Sequence, residues 1–297
     1  MVPVFAADAL AGKRVLITGG GTGLGRGVAK HLVDHGAEVH LWGRRSGVLE
    51  EAAASASDGR DGRVFFQSVD VRQPERVEAA MDEIWSAHGP LTSVINNAAG
   101  NFIAPTASLS PRAFEAITST VMGGSFTTTL AAGRRWIDGG LPGVVLSTLT
   151  TWVWSGSAFV VPSAMAKGAV HAMTMSLAAE WGRYGIRVNA LAPGPIPTDY
   201  AWEMLSPTGR SAVGATQPDQ IPMRRVGTIE ELAALTIFLL SDACPYLTGE
   251  TVAMDGGQRL AGPGTFAGLT ELTDEDWAEV RESAKAATAA SKAQRDG

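Results

Sequence analysis

The fold is decided by the stretch Val15-Leu16-Ile17-Thr18-Gly19-Gly20-Gly21-Thr22-Gly23-Leu24-Gly25-Arg26-Gly27. An apolar run typical of a buried strand ends at Thr18, glycines follow, and a helical pattern begins after them. Glycine lets a backbone turn tightly and approach a pyrophosphate, whose charge then meets the free N–H groups at the start of the helix. The spacing of Gly19, Gly23 and Gly25 differs from the Gly-x-Gly-x-x-Gly fingerprint, so a plain flexible turn stays open as an alternative.

Strand and helix patterns alternate from this stretch almost to the end of the chain. Strands are predicted at residues 14–18, 37–42, 64–69, 91–95, 144–150, 186–191 and 251–254. Helices are predicted from residue 24 to about 36, around Leu49, and at 74–88, 111–137, 160–182 and 230–240. In the long helix at 111–137, Gly123 and Gly124 are expected to be close-packing points. The alternation predicts an α/β fold with one doubly wound, Rossmann-type parallel sheet and helices on both faces.

Two segments fall outside the alternation. Residues 192–228 form a loop rich in Pro, Gly, Ser and Thr, and a loop of this length inside a domain is often a lid. Residues 258–297 are predicted to form a helical extension that packs on the same domain or on a neighbouring subunit. Thr273 would be its N-cap, with Asp276 three residues later. Residues 1–257 then form one dinucleotide-binding and catalytic domain.

The composition argues against several classes of protein. Apolar residues make up 45% and charged residues 18% of the 297 residues, as is ordinary for a globular protein. A formal net charge of −6 argues against a nucleic-acid-binding surface. The single cysteine, Cys244, indicates neither an internal disulfide nor a metal-ligand cluster and suits a reducing cytosol. Residues 1–10 do not resemble a signal peptide and no apolar run reaches membrane-spanning length, so a soluble, cytoplasmic protein without a membrane partner or a metal is expected.

The end of the second predicted strand indicates which dinucleotide would bind. A carboxylate there would bind an unmodified adenosine ribose, whereas arginine would bind a 2′-phosphate. The sequence reads Trp42-Gly43-Arg44-Arg45 and favours NADP(H), with a solvated surface pair as the alternative. Asp70-Val71 ends the third strand, where the carboxylate would either accept from the adenine amino group or serve as a plain strand-end cap.

Three motifs together resemble the short-chain dehydrogenase/reductase family: the glycine stretch from Thr18 to Gly25, Asn96-Asn97-Ala98-Ala99-Gly100, and Pro193-Gly194-Pro195-Ile196 followed by Thr198. The resemblance implies that the asparagine turn braces the central strand and the adenosine side of the cofactor. It also implies that the Pro-Gly loop lies over the nicotinamide. The cofactor-binding residues expected on this basis are Thr18, Gly19, Gly21, Thr22, Gly23, Leu24, Arg44, Arg45, Asp70, Val71, Asn97, Ala98, Ala99, Gly100, Lys167, Pro193, Gly194, Ile196 and Thr198.

The catalytic signature of that family, Tyr-x-x-x-Lys, is altered here to Ser163-Ala164-Met165-Ala166-Lys167. Residues 101–106, 159–163, 178–182 and 265–277 narrow the resemblance to the 2,4-dienoyl-CoA reductase branch, which also carries Ser and Lys. That resemblance implies hydride delivery from NADPH to the δ-carbon of a dienoyl thioester, a dienolate intermediate, and protonation of the α-carbon by water. Lys167 would bind the nicotinamide ribose. Ser163, on the same helix face, would hydrogen-bond nearby groups or be a plain helix-face serine.

Thr150 and Trp152 are the remaining catalytic candidates. Thr150 stands thirteen residues before Ser163, where the wider family has its catalytic serine, and would supply a hydroxyl. Trp152 stands where the branch has a tyrosine and Gly123 where it has an asparagine, so the donors that stabilise the dienolate are not carried over. Either Trp152 or Thr150 donates instead, or an altered substrate fits the enlarged site, or catalysis is lost. Alternatively, Trp152 and Trp154 only line an apolar acyl pocket.

The predicted activity is therefore NADPH-dependent reduction of an activated C=C bond, in a 2,4-dienoyl-CoA or a related unsaturated thioester. A carbonyl or imine reductase with a specialised substrate and a cofactor-binding pseudoenzyme are the alternatives. Arg112, Arg224 and Arg225 are candidates for contacts with the phosphates of an acyl-CoA. The family resemblance also implies a homotetramer built on the two long helices.

Overall fold

The apolar runs of the chain assemble into one seven-stranded sheet. The computed structural model describes residues 5–57, 63–101, 103–198, 218–261, 273–276, 278–279 and 282. The strands are β1 (Arg14–Thr18), β2 (Glu38–Gly43), β3 (Val64–Ser68), β4 (Ser93–Asn96), β5 (Gly143–Thr148), β6 (Ile186–Pro193) and β7 (Thr251–Met254). Every pairing is parallel, in the order β3-β2-β1-β4-β5-β6-β7. The predicted α/β class and doubly wound parallel sheet are confirmed.

Helices connect the strands and cover both faces of the sheet. They are α1 (Gly23–Asp34), α2 (Ser46–Ser57), α3 (Pro74–His88), α4 (Pro111–Thr118), α5 (Gly124–Gly139), α6 (Trp152–Ser155), α7 (Val161–Trp181), α8 (Ile229–Leu240) and α9 (Gln258–Ala261). No helix among the described residues is long and apolar enough to cross a bilayer. The predicted strand ends differ from the observed ones by at most two residues. Among the α-helices of the described residues, the four-residue α6 and α9 were not predicted, because a single helical turn is too short to show a hydrophobic period.

Alternate residues of β1 divide the core into two layers. Val15 and Ile17 pack with residues of α1, α2 and α8, whereas Leu16 packs on the opposite face with residues of α3, α5 and α7. Successive side chains of a strand point to opposite faces, so a strand that is buried on both faces reads as a continuous apolar run. This double burial is the reason that the strands are visible in the sequence.

The direction of chain progression across the sheet reverses between β1 and β4. The chain passes from β1 to β2 and β3 on one side and then crosses to β4 on the other side of β1. In open parallel sheets, ligands bind in the crevice beyond the carboxyl ends of the strands at such a reversal. The glycine stretch follows β1 and the asparagine turn follows β4, so both motifs lie at this crevice.

The long helix predicted after β4 is interrupted. A π-helical turn, Ser119–Gly123, joins α4 to α5. Gly124 is a close-packing point, as predicted, because a Cβ at this position would lie 2.4 Å from Cγ2 of Val71. The same prediction is wrong for Gly123: the nearest atom to a Cβ built there, the Thr118 carbonyl oxygen, is 3.9 Å away.

The predicted N-cap of the carboxyl-terminal extension is confirmed. The hydroxyl of Thr273 accepts a hydrogen bond from the backbone N–H of Asp276 at 3.2 Å, and the Asp276 carboxylate accepts from the backbone N–H of Thr273 at 2.7 Å. Most of the helix predicted after this cap lies outside the described residues, as do residues 199–217 of the predicted lid. The lid and the division at residue 257 stay predictions.

Candidate active site

The glycine stretch turns tightly against the residues that follow β4. Gly19 has a φ of +67°, a conformation that side chains rarely adopt, and a Cβ on it would lie 2.9 Å from Cα of Ala98. A Cβ on Gly25 would lie 2.6 Å from both Nδ2 of Asn97 and the carbonyl oxygen of Gly19. Any larger residue at either position would push this loop away from β4. Together with the start of α1 at Gly23, the turn forms a cradle suited to a pyrophosphate.

Thr18 and Asn97 fasten the two loops to each other. The hydroxyl of Thr18 accepts hydrogen bonds from the backbone N–H groups of Asn97 and Ala98, each at 3.0 Å. Nδ2 of Asn97 donates to the carbonyl oxygens of Thr18 and Gly19, each at 3.2 Å. The bracing that the family resemblance implies for the asparagine turn thus has specific hydrogen bonds in this chain.

The Pro-Gly loop after β6 returns to the same crevice. The backbone N–H of Gly194 donates to the carbonyl of Met254 at 2.9 Å, and a Cβ on Gly194 would lie 2.7 Å from Cα of Asp255. Further along the loop, Oγ1 of Thr198 lies 3.6 Å from the position of a Cβ on Gly23. The structure therefore brings the third predicted cofactor motif against the first.

Arg44 and Arg45 follow β2 directly and are exposed. The hydroxyl of Ser68 donates to the carbonyl of Arg44 at 3.2 Å, which ties this backbone to the end of β3. Neither guanidinium group has a hydrogen-bond or ion-pair partner among the described residues. Two unpaired arginines at the carboxyl end of β2 match the requirement for binding a 2′-phosphate.

Asp70 is engaged by its own turn. The guanidinium group of Arg72 approaches the Asp70 carboxylate to 2.5 Å, and the backbone N–H of Arg72 donates to it at 3.1 Å. The hydrogen bonds from Arg72 hold the pKa of Asp70 below its usual value. The sequence allowed two interpretations of Asp70, and these contacts are those of the strand-end cap. The contact with adenine, which is the other interpretation, stays a prediction.

Ser163 and Lys167 lie one turn apart near the start of α7, and both side chains are buried. Nζ of Lys167 donates to the carbonyl oxygen of Thr148, the last residue of β5. Burial removes water from the ammonium group and lowers the pKa of Lys167 to about 8. A lysine has three N–H donors, so those not used by Thr148 are left for other acceptors.

Thr150 lies two residues beyond the end of β5. Its Oγ1 atom is buried and has no hydrogen-bond partner among the described residues. Most buried polar atoms have a partner, and among the described residues only Asn96 and Thr128 carry another such unpaired side-chain atom. The hydroxyl-donor role of Thr150 stays a prediction.

Trp152 and Trp154 occupy different surroundings. Trp152 begins α6 and is half-buried. Trp154 is 43% exposed; its ring lies 4.9 Å from the guanidinium carbon of Arg259 and meets the ring of His171 edge-on at 6.1 Å. A cation and an imidazole therefore contact Trp154, which the sequence did not indicate.

Gly123 ends the π-helical turn between α4 and α5. Such turns occur frequently at functional sites, because the extra residue redirects the backbone locally. A side chain at Gly123 would fit, since nothing lies closer than 3.9 Å to a Cβ built there. The space that the sequence predicts at this position is present.

The three arginines proposed for CoA phosphates are not equivalent. Arg225 is paired with the carboxylate of Glu231, at 2.5 and 2.9 Å. Arg224 donates to the backbone carbonyl of Asp219 at 2.9 Å. Arg112, in the first turn of α4, is exposed and has no ion-pair partner among the described residues.

The comparisons with known proteins show the family of the chain. Residues 19–259 match the family model described as enoyl-(acyl carrier protein) reductase. The chain is 41% identical to a Bacillus subtilis protein named probable 2,4-dienoyl-CoA reductase, (2E)-enoyl-CoA-producing, over 84% of this chain and 97% of the relative. It is 37% identical to the Caenorhabditis elegans protein named probable 2,4-dienoyl-CoA reductase 3, (3E)-enoyl-CoA-producing, over 94% of this chain and 91% of the relative.

A solved structure shares the fold over most of the chain. It is a gluconate 5-dehydrogenase from Burkholderia cenocepacia in complex with NADP and tartrate, with a TM-score of 0.78 and 31% identity over 86% of this chain and 100% of that chain. The sequence resemblance, the parallel sheet and the family match all agree. The chain is an oxidoreductase of the short-chain dehydrogenase/reductase family and resembles its 2,4-dienoyl-CoA reductase branch.

Proposed function

We propose that the chain uses NADPH to reduce the conjugated C=C system of a 2,4-dienoyl-CoA or a related unsaturated thioester. The observation that carries this proposal is the site around the end of β5, where Lys167 is buried against Thr148 and the Thr150 hydroxyl is buried without a partner among the described residues. The names of the relatives from Bacillus subtilis and Caenorhabditis elegans support the substrate class.

The residues present fit an NADPH molecule. The backbone N–H groups at the start of α1, which the Thr22 side chain does not cap, are suited to a pyrophosphate, and Arg44 and Arg45 are available for a 2′-phosphate. The nearby carboxylate of Asp70 is neutralised by Arg72. When bound, the reduced nicotinamide supplies a hydride, and Lys167 would hold its ribose through the N–H donors that Thr148 leaves free.

The replacement of the family's tyrosine by Ser163 favours reduction of C=C over reduction of a carbonyl. Reducing a ketone creates an alkoxide that must be protonated at once, for which an acidic phenol is suited and a serine hydroxyl is not. Hydride addition to a dienoyl thioester instead spreads the negative charge up to the thioester oxygen, where neutral donors can stabilise it. The hydroxyl of Thr150, assisted by the indole N–H of Trp152, is the donor that we assign to this oxygen.

Protonation of the dienolate at the α-carbon by water would give the (3E)-enoyl-CoA. Protonation at the γ-carbon would give the (2E) isomer, and the two relatives carry names that differ on this point. The proposal for this chain is the (3E) product, and nuclear magnetic resonance of the isolated product distinguishes the isomers.

Steady-state oxidation of NADPH tests the activity. We expect turnover with a 2,4-dienoyl-CoA and none with a 3-ketoacyl-CoA of the same length. Turnover with the ketone alone would instead establish the carbonyl reductase. Binding of NADPH without turnover of either thioester would indicate a pseudoenzyme. In that case Trp152→Tyr combined with Gly123→Asn should create dienoyl-CoA activity.

We also propose that the protein is a homo-oligomer built on its two long helical segments. Exposed apolar side chains lie along α4, the π turn and α5, and along α7; they are Phe114, Met122, Phe126, Met165 and Met175. Exposed apolar residues this large on neighbouring helices favour association. Light scattering coupled to size exclusion should give a mass above that of one chain, and Phe126→Asp should lower it.

A further inference from the structure

A cluster of metal-ligating side chains lies at the edge of the sheet opposite to the cofactor crevice. Glu38 is the first residue of β2, His40 follows two residues later on the same face, and His88 is the last residue of α3. Because the cofactor motifs follow the carboxyl ends of the strands, a group at the start of β2 is at the far edge. The proposed reductase activity therefore leaves this cluster without a role.

The three ligand atoms are already close to one another. Oε1 of Glu38 is 3.0 Å from Nε2 of His40 and 4.0 Å from Nδ1 of His88. One ligand atom from each of the three side chains lies within 4.8 Å of the others. Zinc bonds of ~2.0–2.1 Å would need ligand atoms roughly 3.4 Å apart, so a shift of roughly 1 Å would complete the geometry.

Phe65 of β3 fixes the two imidazole rings. Its ring stacks on His40 with the centroids 5.2 Å apart and lies 4.1 Å from the ring of His88. The His40 side chain is 3% exposed, whereas those of Glu38 and His88 are about one quarter exposed. The two rings are therefore held in place, with the side chains of Glu38 and His88 reachable from solvent.

Arg14 is the group that opposes a cation here. Nε of Arg14 donates to Oε1 of Glu38 at 2.5 Å, and Nη1 donates to the carbonyl of Pro90 at 2.9 Å. Oε2 of Glu38 has no hydrogen bond among the described residues. Arg14 thus orients the carboxylate through Oε1, the atom that faces both imidazoles, as outer partners of ligating carboxylates commonly do; a metal there replaces the hydrogen bond between Oε1 and Nε2 of His40.

We propose that Glu38, His40 and His88 bind a divalent transition-metal ion of the Zn²⁺ class, with the remaining coordination position open to solvent. Two imidazoles and one carboxylate form a ligand set that suits zinc. The ion ties the start of β2 to the end of α3 and takes no part in the hydride transfer, because the site lies away from the cofactor crevice. His88 stands fifty residues after Glu38 in the sequence, so no local spacing indicates the full ligand set.

Calorimetric titration of the tag-free, chelator-treated full chain with Zn²⁺ tests the proposal. We expect one ion per chain, a visible absorption band when Co²⁺ replaces Zn²⁺, and a loss of affinity on the order of 100-fold in His88→Gln. Glu38→Gln, which keeps an acceptor for Arg14, should weaken binding similarly. Retained NADPH binding shows that each variant is folded.

His31→Gln is the matched control. His31 and His35 lie one helical turn apart on α1, where the ring of His35 hydrogen-bonds to the backbone carbonyl of His31 at 2.8 Å, and they form the other close pair of histidines. The control should bind zinc as the wild type does. Loss of binding in His31→Gln, unchanged binding in His88→Gln, or no binding by the wild type in excess zinc would each overturn the proposal.

Discussion

Substitution of Lys167 by methionine tests the electrostatics of the site. The pKa of Lys167 is about 8 in the folded chain, against an ordinary value of 10.5 for a lysine in water. Between these values the unfolded chain holds a proton that the folded chain has lost, so the free energy of unfolding rises with pH. Below pH 8 both states are protonated and the folded state carries the full penalty of the buried charge. From pH 7 to pH 9 the contribution of Lys167 therefore grows by about 1.3 kcal/mol.

Urea unfolding followed by tryptophan fluorescence measures this effect without cofactor. The other titrating groups are the same in the wild type and in Lys167→Met, so their contributions cancel in the difference between the two free energies of unfolding. We expect the free energy of unfolding of the wild type, relative to that of Lys167→Met, to increase by about 1.3 kcal/mol between pH 7 and pH 9. A difference that does not change with pH would refute the reasoning, because Lys167 would then keep its ordinary pKa.

Three further substitutions test single contacts. Arg44→Ala should raise the Kd of NADPH far more than that of NADH, and an equal loss for both would mean that Arg44 does not meet the 2′-phosphate. Gly124→Ala should lower the free energy of unfolding by about 1–3 kcal/mol through collision with Val71, whereas Gly123→Ala, which meets open space, should not. Thr150→Val should reduce kcat with a dienoyl-CoA by on the order of 10²–10³ and leave the Kd of NADPH unchanged; an unchanged kcat would remove Thr150 from the mechanism.

The fold was predictable because its signals are local. The run from Val15 to Thr18 is buried on both faces and is followed at once by glycines, so strand, turn and helix are each marked in the sequence. Gly124 was also predicted to be a close-packing point, but the residue that it packs against, Val71, was not.

The rest depends on contacts that sequence patterns do not record. The π turn inserts one extra residue into the helix, and no sequence pattern marks this insertion. Gly123 was therefore wrongly predicted to be a close-packing point. Lys167 is held by the backbone carbonyl of Thr148, and every residue type has such a carbonyl, so the sequence does not indicate this contact. Arg259 and Trp154 are distant in the chain, so no local sequence pattern indicates their contact.

The most direct test of the proposed function follows the transferred hydrogen. The enzyme is supplied with a 2,4-dienoyl-CoA and with NADPH that carries deuterium at the transferring position, and the product is isolated and read by nuclear magnetic resonance. We predict deuterium at the δ-carbon of an enoyl-CoA and a solvent-derived hydrogen at the α-carbon. Deuterium on a carbinol carbon, or an unlabelled thioester after prolonged incubation with bound NADPH, would contradict reduction of the conjugated C=C system.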